Sequence, residues 1–178
     1  MRVITGVARG RRLQTLEGLD VRPTADRVKE AAFSSIQFEI EGRAVLDLFA
    51  GSGQLGIEAL SRGAKSAVFV DANPEAVRVT KENLTATGLF AQASVASGDF
   101  EPFLLHTHTV FDIVFIDPPY SRGLAARALE LAAPHVSENG VVVCETAKGD
   151  PMPETAGELA LARRAEYGKT ALLLYRRP

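Results

Sequence analysis

Four short stretches combine residue types that could do chemistry. The most informative is Asp117-Pro118-Pro119-Tyr120. Its two prolines fix the backbone and bring no N–H of their own. The stretch therefore presents carbonyls, a carboxylate and a flat ring. An acceptor-rich loop beside an aromatic suits a planar base that carries an exocyclic amino group. A second stretch, Asp47-Leu48-Phe49-Ala50, leads into Gly51, Gly53 and Gly56 at the G-x-G-x-x-G spacing. Glycines so placed make a tight turn, let a ligand approach the backbone, and open a helix whose N-terminus favours negative charge. Third, Asp71 stands 18 residues beyond Gly53, close to the roughly 20-residue spacing at which an acid accepts ribose hydroxyls. Fourth, Asp99 and Phe100 offer a carboxylate for an amino group and a ring for the face of a base. Asp99 is equally suited to cap a helix.

Asp47 discriminates between ligands. A carboxylate near the end of a buried strand is costly unless it meets donors or a cation. A dinucleotide would bring a pyrophosphate that repels it. S-adenosylmethionine brings an α-ammonium and a sulfonium instead. A nicotinamide-dependent dehydrogenase accounts for the glycines and Asp71 but leaves Asp47 and Asp117–Tyr120 unexplained. Nothing in the sequence asks for a metal. His106 and His108 have no cysteine or carboxylate beside them in a ligand pattern and read as surface-loop residues. Cys144 sits in a valine-rich strand as a small buried hydrophobe.

These residues need elements to hold them. Residues 2–22 are short apolar stretches broken by glycines, as in a small hairpin or arm. Pro23 and Thr24 set up the start of an amphipathic helix over residues 25–38, with Thr24 able to cap it. Strands are expected at Ala44–Phe49, Ala67–Asp71, Gln92–Ala96, Phe111–Ile116 and Gly140–Glu145. Helices are expected at Gln54–Arg62, from Asn73-Pro74 to Thr87, and over residues 123–134. Leu159–Arg164 and Thr170–Tyr175 read as a closing antiparallel pair. Continuous apolar strands alternating with helices imply a parallel sheet covered on both faces. Such sheets bind ligands beyond the carboxyl ends of their strands, where strand order reverses. All four chemical stretches fall at such ends.

The chain has 178 residues, 46% of them hydrophobic and 24% charged, which fits one ordered domain spanning 1–178. With a single cysteine it can hold no internal disulfide, and a reducing cytoplasmic setting is expected. No apolar run of about 18 residues suggests a membrane span. The net charge of −2 is unevenly spread: residues 1–12 carry +4, and residues 163–178 carry +4. If the two basic ends meet in space, they form one positive face suited to a nucleic acid.

Taken together, Asp47–Gly53, Asp71 and Asp117–Tyr120 resemble the class I S-adenosylmethionine-dependent methyltransferases. More narrowly, the chain resembles the RsmD family, whose members methylate N2 of a guanine in small-subunit ribosomal RNA. The likeness runs through Thr5–Leu13, Arg22–Phe33 (Arg-Pro-Thr-Ala-Asp-Arg-Val-Lys-Glu-Ala-Ala-Phe), Asp47–Ala64 and Tyr167-Gly168-Lys169-Thr170. It departs at Ala8, where relatives often carry a larger residue, and at Gln54, where many carry a small one.

The resemblance implies a Rossmann-like α/β fold: seven strands, mostly parallel, helices on both faces, and a small N-terminal hairpin extension (1–22) that binds RNA. It implies that Asp47, Phe49, Ala50, Gly51, Gly53, Asp71, Ala72, Asp99, Phe100 and Thr24 hold S-adenosylmethionine. The segment Arg22–Arg27 would close over the methionine end. Asp117, Pro118, Pro119 and Tyr120 would be catalytic. Arg9, Arg11, Arg12, Arg22 and Lys169 would bind phosphates of 16S rRNA, in the small subunit or an assembly intermediate, with the enzyme a monomer. Methylation of another exocyclic amine, in DNA adenine or protein glutamine, is an alternative. DNA enzymes generally need a target-recognition domain, and protein-glutamine enzymes usually carry Asn in place of Asp117. A non-catalytic RNA-binding assembly factor is a further alternative, against which the intact Asp-Pro-Pro-Tyr argues.

Overall fold

Successive residues of a strand point to opposite faces, so a strand with no polar residues needs cover on both sides. The computed structural model, which describes residues 1–16, 23–119 and 123–178, provides it. Five parallel strands form the body of the sheet: β1 (Ala44–Leu48), β2 (Ser66–Asp71), β3 (Ala93–Ser97), β4 (Phe111–Ile116) and β5 (Val136–Ala147). Three antiparallel strands complete it: β6 (Thr155–Ala156), β7 (Leu159–Tyr167) and β8 (Thr170–Arg176). The order across the sheet is β3-β2-β1-β4-β5-β8-β7-β6. The sequence implies seven strands; the eighth is the two-residue β6, too short to carry an alternating pattern.

The helices are α1 (Pro23–Ser35), α2 (Gln54–Ser61), α3 (Pro74–Thr87), α4 (Phe100–His106) and α5 (Leu124–Ala132). On one face Val45, Ile113, Phe115, Val143 and Leu172 pack with Phe33 of α1, Ile57 of α2 and Leu84 of α3. On the other, Leu46, Leu48, Val114, Ile116 and Cys144 pack with Leu104 of α4 and Leu129 of α5. Helix α3 has the ends its sequence prescribes. The Asn73 side chain accepts from Glu75 N–H, Pro74 takes the first helical position, and Gly88 closes the helix at φ 75°.

Several elements differ from the sequence reading. Helix α1 spans Pro23–Ser35 rather than 25–38, which puts Thr24 inside the helix rather than at its cap, and β7 runs on past Arg164 to Tyr167. Strand β5 begins at Val136 rather than Gly140: Phe111 pairs with Val136, the register then skips to Ile113 with Val141, and Ser137, in the bulge between, donates to Asp112 at 2.8 Å. Helix α4 follows Asp99, the possible cap, though no helix range is expected there, and His106, expected in a loop, is its last residue, with its ring bonded to the Pro102 carbonyl. Among the described residues, no helix is long and apolar enough to cross a membrane.

The N-terminal arm forms a hairpin with a single antiparallel bridge, Arg2 to Arg12. It is packed against the body rather than projecting from it: Val3, Ala8 and Leu13 are buried in the same cluster as α1 and α2. Glu58 of α2 is fully buried and accepts the N–H groups of Ile4 at 2.8 Å and Thr5 at 3.0 Å. The same carboxylate meets Arg62 at 2.8 Å and the buried Lys29 of α1 at 3.3 Å. At the turn, Gly6 has φ 89° and lies so near α2 that a Cβ there would meet the Ser61 carbonyl at 1.7 Å. Only glycine allows that approach.

Candidate active site

Strand order reverses between β1 and β4, and the carboxyl ends of those strands open into a cleft of about 670 Å³. Four carboxylates line it: Asp47 near the end of β1, Asp71 at the end of β2, Asp99 just past β3 and Asp117 just past β4. No lysine or arginine is among the described residues lining it. It is a site built for a cation, with apolar walls supplied by Phe49, Val70, Phe100 and Leu124.

The glycine turn is held from both sides. Asp47 is 1% exposed, and its Oδ2 accepts the Gly56 N–H at 2.8 Å. Asp71 joins two loops: Oδ2 accepts the Gly51 N–H of the glycine turn at 2.8 Å, and Oδ1 accepts the Asn73 N–H of its own loop at 2.8 Å. From beneath, two α3 residues one helical turn apart grip its carbonyls. Thr80 donates to Gly51 O at 2.9 Å, and Asn83 donates to Ser52 O at 2.8 Å. Gly56 then packs flat on β2, where a Cβ would meet the Phe69 ring at 2.3 Å. Phe49, at φ 61°, is the one positive-φ non-glycine among the described residues, and its ring lies 4.9 Å from that of Phe100. A backbone strained in this way is sustained only by surrounding structure, and such residues cluster at ligand sites.

Charge balance follows from this geometry. Burial pushes the Asp47 carboxyl up to about 7; the Gly56 N–H opposes that, and repulsion from Asp71 adds to it. Burial, then Glu145 and Asp47, hold the Asp117 carboxyl well above the usual carboxylate range. Carboxylates crowded in this way call for a cation. S-adenosylmethionine, with a sulfonium and an α-ammonium, matches that demand.

Of the residues singled out in the sequence, the cleft gathers Asp47, Phe49, Ala50, Gly51, Asp71, Ala72, Asp99, Phe100, Asp117, Pro118 and Pro119. Gly53 lies just behind, in the turn at φ 77°, against Thr80. Asp99 both lines the cleft and caps α4, accepting from Glu101 N–H at 3.1 Å. Phe100 lines the cleft but is mostly buried, its ring tilted against that of Phe49. Arg22 and Tyr120 lie outside the described residues, and Thr24 falls in the first turn of α1 with its side chain outside them.

The sequence reading missed Met1, Thr15 and Leu16, whose arm ends line the cleft, and Asn73 beside Asp71. Of these only Asn73 gave a signal, as the start of the helix at Asn73-Pro74, two residues past the acidic strand end.

The basic residues divide into two groups. Arg9, Arg11 and Arg12 are exposed on the arm, and Lys169 is exposed in the turn between β7 and β8. Among the described residues no ion pair engages the three arm arginines. The C-terminal charge is largely neutralised instead. Arg176 is bonded twice to Glu39 at 2.7 and 2.8 Å, and Arg177 meets Glu158 at 2.6 Å. The positive charge left exposed is therefore that of the arm, with Arg163 on β7 and Lys169 in the turn after it as further exposed charges that no ion pair engages among the described residues.

A five-stranded parallel core extended by antiparallel strands, with acidic residues at four strand ends around a cleft, defines a class I methyltransferase. The chain matches the family Conserved hypothetical protein 95 over residues 1–176. It is 40% identical over 182 residues to the YlbH protein of Bacillus subtilis (strain 168), an alignment covering 99% of each chain. It is 34% identical over 179 residues to Ribosomal RNA small subunit methyltransferase D of Escherichia coli (strain K12), covering 99% of this chain and 90% of that one. Among solved structures, a hypothetical protein of Thermus thermophilus superposes with a TM-score of 0.84 at 35% identity, over 99% of both chains. The chain belongs to this family, the RsmD family of S-adenosylmethionine-dependent methyltransferases.

Proposed function

We propose that this enzyme transfers a methyl group from S-adenosylmethionine to the exocyclic N2 of a guanine in 16S rRNA. It would act as a cytoplasmic monomer on the small ribosomal subunit or an assembly intermediate. The observation that carries the reading is the position of Asp117 and Pro118: acceptors on the wall of a cleft that otherwise seeks a cation. Two relatives bearing the name Ribosomal RNA small subunit methyltransferase D, 38% and 34% identical to this chain, support the choice of RNA.

S-adenosylmethionine supplies an electrophilic methyl group on a sulfonium. In this reading Asp47, Asp71 and the Gly51–Gly53 turn hold it, with Asp99 and Phe100 at its adenine end. The amino nitrogen of guanine is a weak nucleophile because its lone pair is delocalised into the ring. The Asp117 carboxylate and the Pro118 carbonyl accept its two N–H bonds and favour the pyramidal geometry in which the lone pair is free. Positive charge grows on that nitrogen during transfer, so fixed acceptors stabilise the transition state more than the ground state. Asp117 would be favoured in its ionised form by the positive charge of the sulfonium in bound S-adenosylmethionine. Its burial then favours taking up the proton that the methylated nitrogen sheds. Tyr120 stacks on the extruded base, and the arm arginines bind phosphates.

The test is transfer of a labelled methyl group to small subunits from cells lacking this gene, to their stripped RNA, and to duplex DNA. Nucleoside mass analysis then identifies the product. N2-methylguanosine in the RNA is the expected result. Label in DNA adenine would overturn the substrate, and cofactor binding without transfer to any acceptor would overturn the activity.

A further inference from the structure

We propose that Asn83 is a positioning residue that ties the basic arm to the cofactor loop, so that filling the cleft and ordering the arm are linked. Asn83 lies on α3 and is 1% exposed. Its Oδ1 accepts the Gln14 N–H at 2.8 Å, and its Nδ2 donates to Gln14 O at 3.0 Å and to Ser52 O at 2.8 Å. The amide can face only one way, because turning it over would set donor against donor at Gln14 N–H. One buried side chain thus holds both main-chain groups of an arm residue and a carbonyl of the glycine turn.

A second contact joins the same two segments at the other end of the hairpin: the Ser52 hydroxyl lies 3.6 Å from the Met1 sulfur. Met1, Thr15 and Leu16 line the same cleft as Gly51 and Asp71. The arm's arginines therefore sit on a segment anchored at both ends to the cofactor site. A ligand that orders the turn and touches Met1 and Leu16 must also order the arm, and the linkage is reciprocal. The consequence for RNA rests on the function proposed above: the cofactor-filled enzyme binds RNA more tightly than the empty one.

The experiment is amide hydrogen exchange of the full chain with and without S-adenosylhomocysteine, together with RNA affinity in both states. In the wild type, the nucleoside should slow exchange at Gln14 and tighten RNA binding by about fivefold or more, the lower range of couplings between linked sites. Asn83→Ala should weaken nucleoside binding and reduce the ratio of the two RNA affinities toward one. A merely structural role would lower both affinities and leave the ratio unchanged, and that outcome overturns the proposal. Unchanged exchange at Gln14 in the wild type also overturns it, whatever the RNA does, and does not depend on the variant folding. A protected arm with no RNA binding in either state would instead overturn the function proposed above and leave the link intact.

Discussion

The Asp47 carboxylate accepts the N–H of Gly56 at 2.8 Å and is otherwise buried at the base of the cleft. One hydrogen bond does not offset the burial of a full charge, and the carboxyl is displaced to about 7. The folded state therefore holds a proton that the unfolded chain would release between about pH 4 and 7. The group's contribution to stability falls as pH rises through that window and is flat above it. Asp47→Asn keeps the Gly56 bond without the charge. It should stabilise the cofactor-free protein at pH 8, with about 4 kcal/mol as the ceiling, and should make no difference near pH 4. Denaturant melts at the two pH values check this. Cofactor affinity should move oppositely: S-adenosylhomocysteine should bind the wild type more weakly as pH falls below about 7, and Asp47→Asn should flatten that dependence.

Asp117→Ala should abolish methyl transfer while S-adenosylhomocysteine binding changes little. Asp117 lines the cleft, and the glycine turn is held by other residues, Asp47, Asp71, Thr80 and Asn83. Calorimetry and labelled-methyl assays on the same preparation separate the two effects. Full activity in this variant would exclude the proposed role.

Arg11 and Arg12 carry exposed charge on a fixed arm. If each neutralises one phosphate, Arg11→Ala with Arg12→Ala should lower the slope of log affinity against log salt by about 1.4–1.8. The fold should be unaffected. An unchanged slope would show that these side chains do not touch the RNA backbone.

Glu58→Ala should destabilise the protein by roughly 3–5 kcal/mol, the range for stripping a buried ion of its partner. Lys29, itself 3% exposed, would be left without its carboxylate, and the Ile4 and Thr5 N–H groups would lose their acceptor. Urea unfolding measures the cost. A loss below about 1 kcal/mol would mean the arm is held by its apolar residues alone.

The parallel core was readable because most of its strands are largely apolar runs and helices α2 and α3 are followed by Gly63 and Gly88. Strand β4 and helix α3 fall where the residues place them. What escaped the sequence depends on partners far along the chain. Ser137, Glu138 and Asn139 look like loop residues, yet they extend β5 because Asp112 reaches across to Ser137. Helix α4 has seven residues and a proline, too few for a periodicity. Glu58 and Asn83 look like ordinary polar helix residues. Their roles exist only because α2 and α3 bury them against an arm more than 50 residues away. Arg176 and Arg177 read as free charge until folding brings Glu39 and Glu158 beside them.

The seam between β1 and β4, where strand order reverses, also has a kinetic meaning. Strand β2 reaches β1 through one short helical crossover, but β4 must close a much longer loop. Ala44 N–H donates to Asp112 from 68 residues away. Contacts of such separation form late, since the chain must lose the entropy of closing the loop before it gains the pairing. Asp47 arrives with the early half of the sheet and Asp117 with the late insertion of β4. A chain caught before that insertion can carry an intact glycine turn and still have no cleft. The cofactor therefore recognises only molecules that have finished folding, and in the cell its binding would draw newly made chains toward completion by mass action.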